Sequence, residues 1–387
     1  MTHFVGIDVA KFEHVASVFN SVIGELVIDS LHFDNNVKGF NSLLSHISKL
    51  DDCVVGFEST AHYHQSLFNF LTEKDFQCYL LNPIQTSRFR KISIRDAKND
   101  NIDSKSIARF LMISYHDLIQ EEFYINDLKE LCSQRDSLIS ESSRQKIKLL
   151  TYLDRVFPEL ESVISKSSIH SKAIRAILKV YPTASRISKV RIDHLIKIAS
   201  DASGKKFNSD KIIKMKETSK SSIGFDSSAL ALKIKQTIET LEHLKKQIDE
   251  VNSEIENHPI PRQSPLHKID GLNSIEIAYI MSAIINISRF DSIKKVVAYA
   301  GLDPVVRQSG TFMASKTRMS KRGNKMLRYA LIWAANNVRL HNKNLNTYYL
   351  KKRAQGKSHY NALGHCAVKL IRYIWFVLHN PDKEFIN

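Results

Sequence analysis

Asp100 and Asp103 stand three residues apart in "KNDNIDSKSIARF", where a helix reads as starting among lysines and arginines. Residues i and i+3 of a helix share one face. Two more acids sit in costly places: Asp8 interrupts the apolar run "FVGIDVAK", and Glu58 ends "VVGFEST". A carboxylate in an apolar strand is unfavourable unless it is paired or holds a cation. Left alone, such a cluster repels itself. Two divalent ions would relieve the repulsion and clamp the attacking and leaving oxygens of a phosphodiester. Hard oxygen donors, with no Cys/His spacing to rival them, select Mg²⁺ or Mn²⁺ over zinc. The bland alternative is two strand-end acids and two helix-start acids favoured by the helix dipole. Asp96 competes with Asp100 as a ligand, but only the 100/103 pair continues into a helix through Ile107. His62 and His64 form an HxH beside Glu58 with no third soft ligand.

A second chemistry lies in "GLDPVVRQSGTFMASKTRMSKRGNKMLRYAL". Between Gly301 and Lys357 run Arg307, Lys316, Arg318, Lys321, Arg322, Lys325, Arg328 and further cations, opposed only by Asp303. A solvated basic face is the bland reading. That density of uncompensated cation points to phosphate contacts. Ser309 lies before Gly310 in a turn-rich stretch. A serine hydroxyl becomes a useful nucleophile when it is activated and developing charge is stabilised; such a loop supplies the second condition and does not identify the base. Ser315 and Ser320 are equally flanked by cations, and composition does not choose among the three.

The elements that must position these groups follow from periodicity. "HFVGIDV", "EHVASVFN" and "ELVIDSLHF" read as a three-stranded meander. Phe40, Leu43, Leu44 and Ile47 fall on one helical face, "CVVGFES" reads as a buried strand, and "QCYLLNP" as another. In the order βββ-α-β-α-β-α, the four acids fit a ribonuclease-H-like arrangement. Residues 124–160 are helical and charged, ending at "FPEL", and residues 165–228 carry helical fragments. Ile234, Leu241, Ile248 and Ile255 recur every seven residues, with Leu244 and Val251 between them. This seam, interrupted by Thr237 and His258, suits either a helical pair within the chain or a dimer coiled coil. "HPIPRQSP" marks a boundary. After it, "KIDGLNSIEIAYI" resembles half of a helix-hairpin-helix with Asn273 in place of the second glycine, or a plain packing turn. The domains expected are 1–160, 161–258 and 259–387.

A net charge of +16 over 387 residues concerns partners rather than fold; nucleic acid is the leading polyanion and an anionic membrane surface its rival. There is no apolar run of membrane-spanning length and no secretory leader pattern in "MTHFVGIDVAKFEHV". Cys53, Cys78, Cys132 and Cys366 fit neither a disulfide scaffold nor a zinc site. A cytoplasmic protein is expected.

The blocks "VGIDVAK", "GFEST" and "KNDNIDSKSIARF", followed by "KIDGLNSIEIAYIMSAI", "FDSIKKVVAYAGLDPVVRQSG" and "SKRGNKMLRYALIWAA", give the chain its resemblance to a known family. It resembles the DEDD-type insertion-sequence transposases, understood as bridge-RNA-guided recombinases, and the related site-specific DNA invertases. The resemblance implies an α/β plus α fold. Its parts would be a ribonuclease-H-like, Holliday-junction-resolvase-like N-terminal domain, a central helical and coiled-coil region, and a mainly helical C-terminal transposase domain. It implies that Asp8, Glu58, Asp100 and Asp103 hold two Mg²⁺ or Mn²⁺ ions, and that Ser309 is the nucleophile that joins DNA covalently. The implied partners are double-stranded DNA at the element ends and target, a structured guide RNA, and further copies of the chain, as a homodimer assembling to a tetramer. Three rivals stand beside this: an invertase without an RNA guide, a Holliday-junction nuclease using only the metal site, and a non-catalytic nucleic-acid-binding protein. Ser104 departs from the alanine frequent in the family, and Asn273 from its glycine.

Overall fold

The computed structural model describes residues 2–385 except 23, 59–61, 82, 91–99, 118–126, 205–206, 306–307, 310–311 and 314–317. The chain divides into two units, Met1–Ile125 and Asn126–Asn387.

The first unit is built on strands β1 (Thr2–Val9), β2 (Glu13–Asn20) and β3 (Leu26–Asp34), helix α1 (Val37–Ile47), strand β4 (Asp52–Glu58), helix α2 (Gln65–Thr72), strand β5 (Gln77–Leu81), and helices α3 (Pro83–Arg90) and α4 (Asp100–Ser114). The strands form one sheet in the order β3-β2-β1-β4-β5. β1, β2 and β3 pair antiparallel, as the expected meander requires, while β4 runs parallel to β1 and β5 parallel to β4. Period-two alternation sends successive side chains to opposite faces. Val5, Ile7, Val55 and Phe57 meet Phe40, Leu43 and Ile47 of α1 and Leu67, Phe68 and Leu71 of α2. Phe4 and Val54 meet Ile107 and Leu111 of α4 on the other face. The sheet is therefore covered on both sides.

α4 lies close on the sheet because two glycines make room for it. Gly6 pairs with Gly56 across β1 and β4. A Cβ on Gly6 would stand 2.2 Å from the Ala108 nitrogen and 2.4 Å from the Ser104 oxygen. At Gly56 it would reach 3.0 Å from a Leu111 methyl. Only glycine admits so close an approach of helix backbone to strand.

The second unit opens with α5 (Asp127–Val156). It continues through α6 (Leu160–Val163), α7 (Lys166–Ile169), α8 (Lys172–Val180), α9 (Ala184–Ser188), α10 (Ile192–Ser203) and α11 (Ser209–Ser219) to α12 (Ser228–Asn257). After α12 come α13 (Pro259–Arg262), α14 (Ser274–Ile284), α15 (Ile293–Tyr299), the strands β6 (Gln308–Ser309) and β7 (Phe312–Met313), and α16 (Lys325–His341), α17 (Lys343–Ala354) and α18 (His359–His379). The α5 and α12 helices have 30 residues each, about 45 Å of helix. They pack antiparallel and join two cores. Leu128 and Cys132 of α5 and Ile255 of α12 belong to the core of α14–α18. Leu149, Leu153, Leu230, Ile234, Ile238 and Leu241 belong to the core of α6–α11.

This decides between the two readings of the heptad seam at its buried positions. Ile234, Leu241, Leu244 and Ile255 are buried within this chain, so the seam is one arm of an intramolecular pair. Thr237 does not interrupt it: the side chain is buried, and its hydroxyl donates to the Lys233 carbonyl at 2.7 Å. The fragments expected over 165–228 are α7–α11. Asn273 is neither a hairpin glycine nor a loose turn residue. It caps α14 in a reciprocal box: its Oδ1 accepts from the Glu276 N–H at 2.9 Å, and Glu276 Oε2 accepts from the Asn273 N–H at 3.2 Å. Glycine does the turning two residues earlier, where Gly271 has φ +90°.

Candidate active site

Strand parity brings the acids together. Asp8 has the same parity as Phe4 and Gly6, and Glu58 the same as Val54 and Gly56, so both belong to the face that α4 covers. The parallel register ends at Ile7 opposite Phe57, which places Asp8 and Glu58 one step further on neighbouring strands. Asp100 and Asp103 occupy the first turn of α4. Asp103 is buried at 7% exposure, Glu58 at 9%, and Asp100 is exposed. Asp96 falls outside the described residues. His62 is exposed, with its ring tilted against that of Tyr63, while His64 is buried.

The electrostatics follow from this geometry. The Asp8 carboxyl is pushed up to about 7, first by burial and then by the charges of Asp103, Asp100 and Glu58. A buried acid among like charges resists ionisation. Among the described residues no three His, Cys, Asp or Glu side chains already close into a metal shell. The charges of Asp103, Asp100 and Glu58 instead act through space on Asp8, and a divalent cation bound by oxygen would relieve that repulsion. The donor set thus fits a hard cation.

The first turn of α4 is tied down on the side of β2 and β3. Ser104 is buried, its Oγ lies 2.8 Å from Ser17 Oγ, and it donates to the Asn101 carbonyl at 3.1 Å. The Ser30 N–H reaches Ser17 Oγ at 3.3 Å. Lys105 Nζ pairs with Asp29 at 2.6 Å, and Asn101 Oδ1 lies 2.9 Å from His32 Nε2. Local spacing alone did not point to these positioning residues. The signals present were the glycine two residues before each strand acid and the unusual serine at 104.

In the second unit, residues 301–305 and 318–324 bracket the candidate nucleophile. Pro304 bridges Met319, Gln308 pairs with Met313 and Ser309 with Phe312, all antiparallel. Ser309 is the last residue of β6. Arg307, Gly310, Ser315 and Lys316 lie outside the described residues. Ser320 donates its hydroxyl to Asp303 and its N–H to the Asp303 carbonyl at 2.8 Å. That serine therefore holds the turn. Arg318, Lys321, Arg322 and Lys325 are exposed. Arg328 is half-buried and donates to the Ala300 carbonyl at 3.1 Å, so it braces the turn from within. Lys321 adopts φ +55°, a left-handed conformation that costs free energy in a non-glycine residue, and its N–H bonds the Gly301 carbonyl at 3.1 Å.

Two family profiles match these two regions. One, for a DEDD-type transposase, covers residues 5–158. The other, described as "Transposase IS116/IS110/IS902 family", covers residues 263–350. The chain belongs to the IS110 family of transposases. A curated relative is the "Insertion element IS110 uncharacterized 43.6 kDa protein" of Streptomyces coelicolor. It is 23% identical over 292 residues, spanning 73% of this chain and 71% of that protein. As an IS110-family transposase, the chain is an enzyme of a mobile element that cuts and rejoins DNA. No helix among its described residues is long and apolar enough to cross a membrane.

Proposed function

We propose that this IS110-family transposase recombines DNA through a four-carboxylate metal site and a covalent serine–DNA intermediate. The observation that carries the first half is the placement of the acids: Asp8 and Glu58 stand on neighbouring parallel strands, on the face covered by the helix whose first turn holds Asp100 and Asp103. These acids come from two strands and a helix far apart in sequence, and a protein that gathers them gains nothing in stability by doing so. Sheet order, the antiparallel meander and the parallel β4 and β5 support the ribonuclease-H-like assignment of this unit. Asp8, Glu58, Asp100 and Asp103 would hold Mg²⁺ or Mn²⁺, which when bound supplies charge neutralisation at a phosphodiester.

The second half rests on Ser309. A recombinase must conserve the energy of the phosphodiester while strands change partners. Ser309 Oγ attacks phosphorus, an Oγ–P bond forms, and the bond from phosphorus to the deoxyribose oxygen breaks. The serine proton leaves with the departing hydroxyl. A DNA hydroxyl then reverses the step and frees the serine. Commitment of Ser320 to Asp303 favours Ser309 over Ser320 among the serines of the loop. Arg318, Lys321, Arg322 and Lys325 would take flanking phosphates, with Arg307 and Lys316 proposed on sequence grounds. The family resemblance extends the proposal to a structured guide RNA that selects sequence by base pairing, to assembly of dimers into a tetramer, and to action in the cytoplasm.

The test is a suicide DNA substrate. A denaturation-resistant protein–DNA adduct is expected, lost in Ser309→Ala and kept in Ser315→Ala and Ser320→Ala. Asp8→Asn should abolish strand cleavage while DNA binding survives. An adduct persisting in Ser309→Ala would move the nucleophile elsewhere. Full cleavage by Asp8→Asn would remove the metal site from the reaction. RNA recovered with the purified protein should carry a reproducible structured sequence, and its absence from active preparations would leave an unguided, invertase-like enzyme.

A further inference from the structure

α16 starts directly after the basic turn, and one of its stripes runs from the exposed surface to the margin of the core. Lys325, Tyr329 and Trp333 follow at i+4 spacing, while Leu327, Ala330, Leu331, Ala334, Ala335 and Val338 are buried. Tyr329 is 54% exposed. Its ring lies 6.1 Å from the half-buried Trp333 ring, at 38° between planes. Neither helix formation nor packing calls for an aromatic at so exposed a position, where a straight-chain residue is the better helix former.

The pair is backed by a fixed column. The Arg135 guanidinium lies 5.5 Å from the Trp333 ring. Arg135 Nε donates to Asn252 at 2.6 Å, and Nη1 to the Tyr279 hydroxyl at 3.4 Å. Tyr279 is fully buried, stands edge-on to Trp333 at 6.5 Å, and donates to Asp136 at 2.7 Å. Turning Trp333 would disturb a polar network in a low-dielectric setting. A ring held this way loses little conformational freedom when it binds.

The surroundings say what would bind. Lys321, Arg322 and Lys325 are exposed beside the stripe. Cations that take phosphate next to a flat aromatic face suit an unstacked nucleobase, since every base has a face to stack. A paired duplex presents base edges in its grooves and keeps its faces stacked. We propose that Tyr329 and Trp333 form a stacking platform for one unpaired nucleobase of the DNA substrate, with Lys325 and the Lys321–Arg322 turn taking the adjoining phosphates. This deepens, and rests on, the nucleic-acid reading of the basic segment.

The experiment compares a fully paired duplex with the same duplex carrying a short single-stranded gap, using the full chain. The protein has two tryptophans, so Trp375→Phe leaves Trp333 as the sole reporter. Gapped DNA should quench Trp333 emission, and paired DNA should not. Tyr329→Ala should weaken gapped-DNA binding roughly tenfold, the scale of one base–aromatic stack, and leave duplex affinity unchanged. Tyr329→Phe should retain the wild-type preference. Lys321→Gln with Arg322→Gln should weaken both DNAs. An equal effect of Tyr329→Ala on both DNAs, or none on either, overturns the platform while leaving the basic segment intact. Loss of all salt-dependent DNA binding by the wild-type protein would instead overturn the basic-segment reading itself. A single strand of RNA that binds more tightly and alone carries the Tyr329 effect overturns the assignment to DNA.

Discussion

Ser17 Oγ on β2 and Ser104 Oγ on α4 meet at 2.8 Å in the interior of the first unit, 87 residues apart in sequence. The contact joins the meander to the helix that carries Asp100 and Asp103, and Ser104 is the immediate neighbour of Asp103. A consistent hydrogen-bond order has the Ser30 N–H donating to Ser17, Ser17 to Ser104, and Ser104 to the Asn101 carbonyl.

Ser104→Ala should therefore cost about 1–3 kcal/mol, because the buried Ser17 hydroxyl loses its acceptor. Adding Ser17→Ala should cost less in the Ser104→Ala background than it does alone, because only the Ser30 N–H then loses a further acceptor. Urea denaturation of the two single variants and the double variant measures this coupling. Strictly additive losses would show that the two hydroxyls act independently.

Divalent cation should stabilise the protein in a pH-dependent way. The folded Asp8 carboxyl titrates near 7, above its unfolded value, because of burial and the charges of Asp103, Asp100 and Glu58. Its contribution to stability is present at low pH and is lost as pH rises through about 7. Mg²⁺ should recover that loss, so the rise in Tm on adding Mg²⁺ should be larger at pH 8 than at pH 6. Asp8→Asn should flatten the difference. Equal shifts at both pH values would place the bound ion elsewhere.

Glu276 supplies a second pH signature, in the other unit. Its side chain is fully buried, and burial pushes its carboxyl up to about 7, against the opposing hydrogen bonds from the Asn273 N–H and Asn337. A raised acid destabilises the fold as pH climbs from the unfolded value through about 7, by up to about 3 kcal/mol. Glu276→Gln keeps the capping geometry and cannot ionise. It should match the wild type at pH 4.5 and exceed it in stability at pH 8, as chemical denaturation at the two pH values would reveal.

Leu241 should behave as a core residue of the chain, not as a subunit contact. Its side chain is 2% exposed, in the core that α12 shares with α5 and the short helices. Leu241→Ala should cost about 2–5 kcal/mol with no change of mass in light scattering. A change of mass at unaltered stability would place the seam between protomers.

Much of this was written in local pattern. Asp8 and Glu58 stand out as acids in apolar strands, the 100/103 spacing places two acids on one face of a helix, and the cations after Gly301 need no tertiary structure to be counted. The linear order of the motif blocks was enough to point to the family. Tertiary structure decided the rest, because burial and pairing depend on what another part of the chain brings near. The heptad seam has the same periodicity whether its partner is α5 or a second protomer, and only packing chose α5. Asn273 and Glu276 have capping-box spacing, yet the neighbouring glycine made a hairpin reading equally natural. The helical fragments of 165–228 are too short to declare themselves and gain stability from the shared core. The Ser17–Ser104 contact has no periodicity at all: it exists because Gly6 lets α4 approach the sheet closely enough for two short side chains to touch.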